Sequence, residues 1–226
     1  MSAPGVSCVI PVYNGARYLR ETLDSVLAQS LPLAEVVVVD DGSTDGTAAI
    51  IRSYDGGVRY LYQPHTGVSA ARNRGLRAAT QSLIAFLDAD DLFLPHKTER
   101  QVERFIALPD LDMSAAHAIN FWSPELAVTQ RRHDPKLTTP WPRCIGTWIV
   151  RRAVFDVVGG FDEEMPVSQD VDWNIRVQAS GARIETLPDV LTRCRLHDAN
   201  VTRQAREACR KAVLASLRAH LQRARG

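Results

Sequence analysis

Two short apolar segments in the first half of the chain end abruptly in carboxylate side chains. The aspartates follow runs rich in Val, Ile, Leu and Phe: Val36–Val39 precedes Asp40-Asp41, and Ile84–Leu87 precedes Asp88-Ala89-Asp90. Such runs are typical of buried parallel strands, whose sheets bind ligands beyond the carboxyl ends, so we expect both clusters at one sheet edge. Asp88 and Asp90 offer hard oxygen ligands for Mg²⁺ or Mn²⁺, which would carry a phosphate-bearing substrate. This chemistry indicates an enzyme that uses a nucleotide-linked donor.

Alternating strands and helices surround the two acidic clusters. The apolar pattern predicts strands at Val6–Val12, Glu35–Val39, Val58–Gln63 and Ser82–Leu87. Helices are predicted between and after them, at Ala16–Gln29, at Thr47–Tyr54, from a capping Ser69 to Ala79, and from Pro95 onward. This alternation predicts an α/β fold with a doubly wound parallel sheet, whose right-handed crossovers bring the strand ends to one side.

The second half of the chain is less regular. Strands are predicted at Met113–Trp122 and Cys144–Val150, and helices at Arg152–Val158 and Val171–Ala179. The polar stretch Arg131–Pro142 is the best candidate for a mobile loop.

Composition excludes several classes of function. The 226 residues carry a formal net charge of +1, so the chain lacks the excess of basic residues that is typical of nucleic-acid binding. The four cysteines do not have the spacing of metal ligands. Reduced thiols are therefore expected. No signal peptide or membrane-length apolar segment is recognisable, which predicts a cytoplasmic protein.

The charge is unevenly distributed along the chain. Arg203–Arg225 holds seven Arg and Lys residues against the single Glu207, with apolar residues at helical spacing. This segment could make a weak peripheral contact with an anionic membrane, such as the inner membrane face, or pack on the rest of the protein. Its apolar face is mostly alanine, so we favour packing.

Seven short motifs follow one another across about residues 5 to 202. They are Val9–Asn14, Val39–Asp45, Gly67–Asn73, Phe86–Asp91, Val158–Glu163, Gln169–Trp173 and Arg195–His197. Each motif alone is unspecific, but in this order they make the chain resemble the inverting glycosyltransferases of family 2. That resemblance implies a GT-A fold, with two abutting Rossmann-like halves around a central, mostly parallel sheet. Residues 1–110 would bind nucleotide-sugar and metal, residues 111–202 would bind the acceptor, and residues 203–226 would form a basic C-terminal helix.

The resemblance assigns the donor site to four residues. Asp41 would accept a hydrogen bond from the nucleobase, in this family usually uracil, while Tyr13 stacks on the ring and Pro11 shapes the pocket floor. Arg72 would lie beside the base and diphosphate. The structural alternatives are an Asx turn or helix cap for Asp41 and a solvated helix charge for Arg72.

The resemblance also assigns the metal and the reaction. Asp90 would ligate Mn²⁺ or Mg²⁺, Asp88 would contact the ribose or sugar, and His197 would lie near the metal or diphosphate, although a lone histidine is often structural. Asp170 would be the general base that takes the proton of the acceptor hydroxyl during an in-line displacement. The alternative for Asp170 is a helix cap. Gln169 stands where the family usually has Glu, which puts acceptor preference in doubt.

The resulting hypothesis is transfer of a single sugar from a UDP-sugar to a hydroxyl acceptor, which could be a glycan, a lipid-linked carrier, a peptide or a small molecule. Single addition is favoured because Gln130–His133 does not fit the QxxRW motif of processive relatives. A catalytically silent domain that binds nucleotide-sugar as a sensor or partner subunit is the main alternative. A nucleotidyltransferase is disfavoured because no Gly-rich phosphate loop follows the first strand, and a phosphatase fits the acidic motif poorly.

Aromatic pocket walls are expected at Trp148 and Trp173, with core packing as the alternative.

Overall fold

The computed structural model describes residues 3–124, 139–142, 144–198, 200 and 206–223, with side chains of the last segment described for 207–218. The strands are β1 Val6–Val12, β2 Glu35–Asp40, β3 Arg59–Tyr62, β4 Leu83–Phe86, β5 Leu92–Phe93, β6 Met113–Trp122, β7 Trp141–Pro142, β8 Ile149–Arg151 and β9 Ile184–Leu196. The helices are α1 Leu19–Leu27, α2 Thr47–Arg52, α3 Val68–Ala78, α4 Lys97–Ala107, α5 Arg152–Val158, α6 Gln169–Ala179 and α7 Arg206–Arg223. Gln130–His133 and most of the predicted mobile loop lie outside the described residues.

One sheet connects both halves of the described chain. Its strand order is β3-β2-β1-β4-β8-β6-β9-β5, with β7 paired to β6. The pairs among β1, β2, β3 and β4 are parallel, as is the pair of β6 and β9. The short strand β8 lies antiparallel between β4 and β6 and joins the two groups. The predicted α/β fold around a mostly parallel sheet is confirmed.

Helices cover both faces of the sheet, which explains the continuous apolar runs. Val36 and Val38 of β2 pack in the same cluster as Leu23 of α1, whereas Val37 and Val39 face Ala71 of α3. Successive residues of one strand therefore enter opposite layers of the core.

Two local predictions are wrong. Cys144–Val150 is not a single strand, because residues Ile145–Thr147 form a 3₁₀ turn in which Thr147 donates both its N–H and its hydroxyl to the carbonyl of Cys144. Ser69 does not cap α3, which starts one residue earlier behind Gly67, and its buried hydroxyl has no partner among the described residues.

Trp148 and Trp173 are core residues rather than pocket walls. Both side chains are buried, and their ring centroids lie 5.7 Å apart. The ring of Trp173 also stacks on Phe155 at 4.6 Å. Neither aromatic face can therefore reach a bound sugar.

Helix α7 packs on α6, which agrees with the favoured alternative for the basic C-terminal segment. Ser216 of α7 is buried, while Leu214 and Leu217 remain exposed. A search of the described residues finds no helix with the length and apolar character of a membrane span.

Replacing Gly75 by alanine is expected to destabilise the protein. Gly75 of α3 faces β1 so closely that an added Cβ would collide with Val9 Cγ1. Overpacking costs about 1–3 kcal/mol, which outweighs a gain in helix propensity of about 1 kcal/mol. Urea unfolding should show a net loss in the free energy of unfolding. Gly46→Ala is the matched control, since its Cβ would meet only Ala16 Cβ at 3.7 Å; equal stabilities of the two variants would contradict the prediction.

Lys97 should make the stability of the protein depend on pH. Its side chain is completely buried, its ammonium donates to Gln101 Oε1, and burial lowers its pKa from 10.5 to about 7. Between these values the unfolded chain binds more protons, so the free energy of unfolding rises with pH by up to about 1.4 kcal/mol per unit from this residue. We expect Lys97→Met to remove that slope between pH 7 and 9 in urea unfolding. Parallel pH profiles of wild type and variant would contradict the assignment.

Candidate functional site

The carboxyl ends of the parallel strands form one edge of the sheet. In the register of β1, β2 and β3, Val12 lies beside Asp40 and Asp40 lies beside Tyr62. Strand β4 pairs with the other side of β1, and its end leads directly into Asp88. The prediction that both acidic clusters share one sheet edge is thus confirmed.

The two aspartates after β2 have different partners. Asp40 holds its own turn together, since its carboxylate accepts hydrogen bonds from the N–H of Ser43 at 2.8 Å and from the Tyr60 hydroxyl at 2.9 Å. Asp41 is buried and instead binds the turn before α3, accepting from the N–H groups of Thr66 at 3.0 Å and Gly67 at 2.9 Å. Asp41 therefore has a structural task in the free protein, and its nucleobase role stays a prediction.

Tyr13 is linked to Asp41 through His65, which contacts both residues. The side chain of Tyr13 follows β1 and is 50% exposed, while Pro11 is buried within the strand. The ring of Tyr13 stacks on the imidazole of His65, with centroids 4.0 Å apart and planes 27° apart. An aromatic surface that a base could use is thus present, but another side chain covers it.

Arg72 reaches the acidic cluster from α3. Its side chain is only 4% exposed, and its Nη2 bonds to Asp88 Oδ1 at 2.7 Å. Nε and Nη1 have no hydrogen-bond partner within the described part of the chain. Buried polar groups are normally satisfied, and an anionic ligand that reached Asp88 would satisfy these two donors.

The carboxylates after β4 crowd one another. The side chain of Asp88 is 41% exposed, but its position deep in the site raises the pKa of its carboxyl group. The Arg72 guanidinium opposes this rise in pKa, whereas the charges of Asp90 and Asp170 add to it. Burial and repulsion from Asp90 and Asp88 raise the pKa of Asp91 well above its usual range. A bound cation would relieve this repulsion.

His197 lies beside Asp90, the predicted metal ligand. Its Nε2 is 2.8 Å from Asp90 Oδ2, and Asn200 Nδ2 lies 3.4 Å from the same oxygen. No set of three His, Cys, Asp or Glu side chains that could hold a metal is found among the described residues. The carboxylate of Asp90 is the hard oxygen ligand that Mg²⁺ would use, with water and substrate phosphate oxygens completing its shell, and the metal role of Asp90 and His197 stays a prediction.

Asp170 approaches the same cluster from the second half of the chain. It is the second residue of α6, and Ser168 takes the cap position with a left-handed backbone at φ 61°. The helix-cap alternative for Asp170 is therefore wrong. Its charge is close enough to contribute to the raised pKa of Asp88. The proposed base is thus within electrostatic range of Asp88, and its catalytic role stays a prediction.

Arg195 binds the turn Asp88–Asp91 through hydrogen bonds that the sequence analysis did not predict. This buried arginine donates through Nε to the carbonyl of Asp90 at 2.9 Å and through its backbone N–H to Asp91 Oδ1 at 2.8 Å. Its Nη2 bonds to Glu21 Oε2 at 2.6 Å. The available signal was its place in the Arg195–His197 motif, two residues before the proposed metal ligand.

Asn73 and His65 are two further residues whose contacts sequence reasoning missed. Asn73 Oδ1 accepts from the N–H of Phe161 and its Nδ2 donates to the carbonyl of Phe161, both at 2.8 Å, which ties α3 to the loop before α6. His65 follows β3, whose parallel pairing with β2 brings residues 63–67 to Asp41. A parallel sheet was predicted without its strand order, and the pairing of β3 with β2 is the information that would have indicated the contact.

Solved structures of S. aureus TarS share this fold. One TarS structure aligns with a TM-score of 0.70 at 23% identity, over 92% of this chain and 39% of that chain. TarS 1–349 in complex with UDP gives a TM-score of 0.68 at 24% identity, over 94% of this chain and 65% of that chain. The complex of TarS 1–349 with UDP-GlcNAc aligns with a TM-score of 0.67 at 23% identity, over 87% of this chain and 60% of that chain. This likeness shows that the chain has a GT-A fold.

Sequence comparison gives the family. Residues 7–158 match the model of Glycosyl transferase family 2. An uncharacterized glycosyltransferase of Rickettsia typhi is 32% identical over 218 residues, covering 90% of this chain and 67% of the relative. TuaG of Bacillus subtilis, a putative teichuronic acid biosynthesis glycosyltransferase, is 41% identical over 104 residues, covering 44% of this chain and 41% of TuaG. The chain belongs to glycosyl transferase family 2.

Proposed function

We propose that the protein transfers a single sugar from a UDP-sugar to an acceptor hydroxyl with inversion, assisted by Mn²⁺ or Mg²⁺. The observation that carries this proposal is the group of side chains at the carboxyl ends of the strands, where Arg72 Nη2 bonds to Asp88 Oδ1 at 2.7 Å and His197 Nε2 lies 2.8 Å from Asp90 Oδ2. The charge of Asp170, from the second half of the chain, contributes to the raised pKa of Asp88. The UDP and UDP-GlcNAc complexes of TarS support a uridine donor. The acceptor is a glycan, a lipid-linked carrier, a peptide or a small molecule, and the chain alone does not select among them.

In this mechanism Tyr13 and Asp41 hold the base, and Arg72 directs its two unpartnered donors at the donor phosphate. Asp88 orients the ribose or sugar, and its bond to Arg72 keeps the carboxylate in place. Asp90, with His197 beside it, would hold the cation, and the chemistry that the cation would supply there is Lewis-acid stabilisation of the leaving UDP.

Asp170 removes the proton of the acceptor hydroxyl as that oxygen attacks the anomeric carbon. No donor among the described residues is hydrogen-bonded to its carboxylate, which leaves the oxygens available to a substrate. Attack from the face opposite the leaving UDP inverts the anomeric centre in one step. A single displacement of this kind needs no covalent enzyme intermediate.

The donor assignment is tested by calorimetric titration of UDP, GDP and dTDP with and without Mn²⁺. We expect metal-dependent binding that prefers UDP, and UDP-sugars should then be screened for UDP release with and without candidate acceptors. Binding that ignores the metal, or no nucleotide binding, would overturn the proposal. Tight UDP-sugar binding without turnover by any acceptor would instead favour a catalytically silent domain.

A further inference from the structure

The aromatic ring proposed to receive the nucleobase already carries another ring. His65 stacks on Tyr13 at 4.0 Å, although its side chain is 56% exposed and Tyr13 projects from the surface. Exposed side chains gain little from ordering unless a second contact fixes them. A specific interaction must therefore hold the imidazole over Tyr13.

Asp41 provides that second contact. Nδ1 of His65 lies 2.9 Å from Asp41 Oδ2 and 3.1 Å from the carbonyl oxygen of Asp41. Since an ionised carboxylate and a carbonyl can only accept, Nδ1 carries the proton and donates to them. The Asp41 carboxylate is itself fixed by Thr66 and Gly67. The imidazole is thus held in one orientation by a stack and a directed hydrogen bond.

These two contacts are the ones that the proposed function assigns to the nucleobase. A uracil ring would stack on Tyr13 and donate an N–H to Asp41, which is what the His65 ring does in the free protein. We propose that His65 occupies the nucleobase position and must rotate away before the donor binds. This inference rests on the proposed function and adds an internal competitor that sets donor affinity.

The proposed displacement of His65 from Tyr13 requires a rotation of its side chain only. Gly42 approaches the backbone of His65 so closely that a Cβ on Gly42 would lie 2.7 Å from the His65 nitrogen. The main chain is therefore held in place by packing. The exposed imidazole, in contrast, can leave Tyr13 by rotating about its own bonds while Asp41 keeps its other donors.

The test compares UDP binding in the presence of Mn²⁺ by calorimetry for wild type, His65→Ala and His96→Ala. Removing a competitor that covers the site most of the time should tighten UDP binding by about 3–10-fold in His65→Ala, because the apparent affinity scales with the uncovered fraction. His96 is an exposed histidine paired with Glu99 outside the site, and its variant should bind like wild type. Equal or weaker binding by His65→Ala would overturn the inference and leave the proposed function intact.

A second measurement follows His65 directly. Its ring proton resonance, assigned by its loss in His65→Ala, should show an upfield ring-current shift from Tyr13 that disappears when UDP saturates the protein. A shift that persists at saturation would overturn the displacement. If neither protein binds any nucleotide, the proposed function itself fails, and the inference fails with it.

Discussion

Asp90→Asn is expected to abolish metal-dependent UDP binding and to lower kcat/KM by at least about 100-fold. Asp90 holds the carboxylate oxygen that both His197 and Asn200 approach, so its charge is central to the proposed cation site. Lewis-acid stabilisation of a leaving group contributes several kcal/mol, and each 1.4 kcal/mol corresponds to about tenfold in rate. Calorimetry with and without Mn²⁺ and steady-state UDP release measure the two effects.

Asp110→Asn provides the control for this variant. Its side chain is 90% exposed and lies outside the site, so UDP binding and rate should match wild type. Circular dichroism should show that Asp90→Asn keeps its fold. A folded Asp90→Asn protein that still binds UDP in a Mn²⁺-dependent manner would exclude Asp90 as a metal ligand.

The second large effect is expected from Asp170→Asn. The amide preserves the size of the side chain but cannot take the acceptor proton, and loss of a general base typically costs about 10²–10⁴ in rate. We expect kcat to fall by this factor while UDP affinity changes less than about threefold, because the residue acts on the acceptor side. Single-turnover rates and calorimetry with UDP separate these two quantities.

Asp172→Asn is the matched control on the same helix. Asp172 pairs with Arg176 at 2.9 Å, and an amide oxygen can keep accepting from that guanidinium. Its rate should stay within about threefold of wild type. Equal losses in the two variants would assign the effect of Asp170 to helix stability, and an active Asp170→Asn protein would require another base.

The sequence predicted the parts of the fold that local patterns encode. Runs such as Val36–Val39 are long enough to show a buried strand, and parallel pairing then fixes which ends meet. Strand β8 has three residues and β5 has two, which is too short for any periodicity to appear. The antiparallel position of β8 between β4 and β6 depends on long-range packing that no local pattern records.

The same limit applies to the site. Aspartates at strand ends could be placed at one edge because topology alone determines it, and their meeting with His197 follows from the long strand β9. The ion pair of Arg72 with Asp88 depends on how α3 is rotated against the sheet. Trp148 and Trp173 were misjudged because an aromatic residue type suits a sugar-binding wall and a core equally well.

The antiparallel strand β8 also determines what can be separated in this molecule. The predicted division between donor and acceptor functions lies at about residue 110. Strand β4 lies before that point, yet one of its two sides is paired with β8, which lies after it. A fragment ending there would leave buried β4 as an open edge with unpaired N–H and C=O groups, a template for aggregation. The predicted functional boundary is therefore not a point at which the chain can be cut or at which parts can be exchanged between relatives. Exchanging the acceptor half also replaces β8, the strand that pairs with β4 of the donor half.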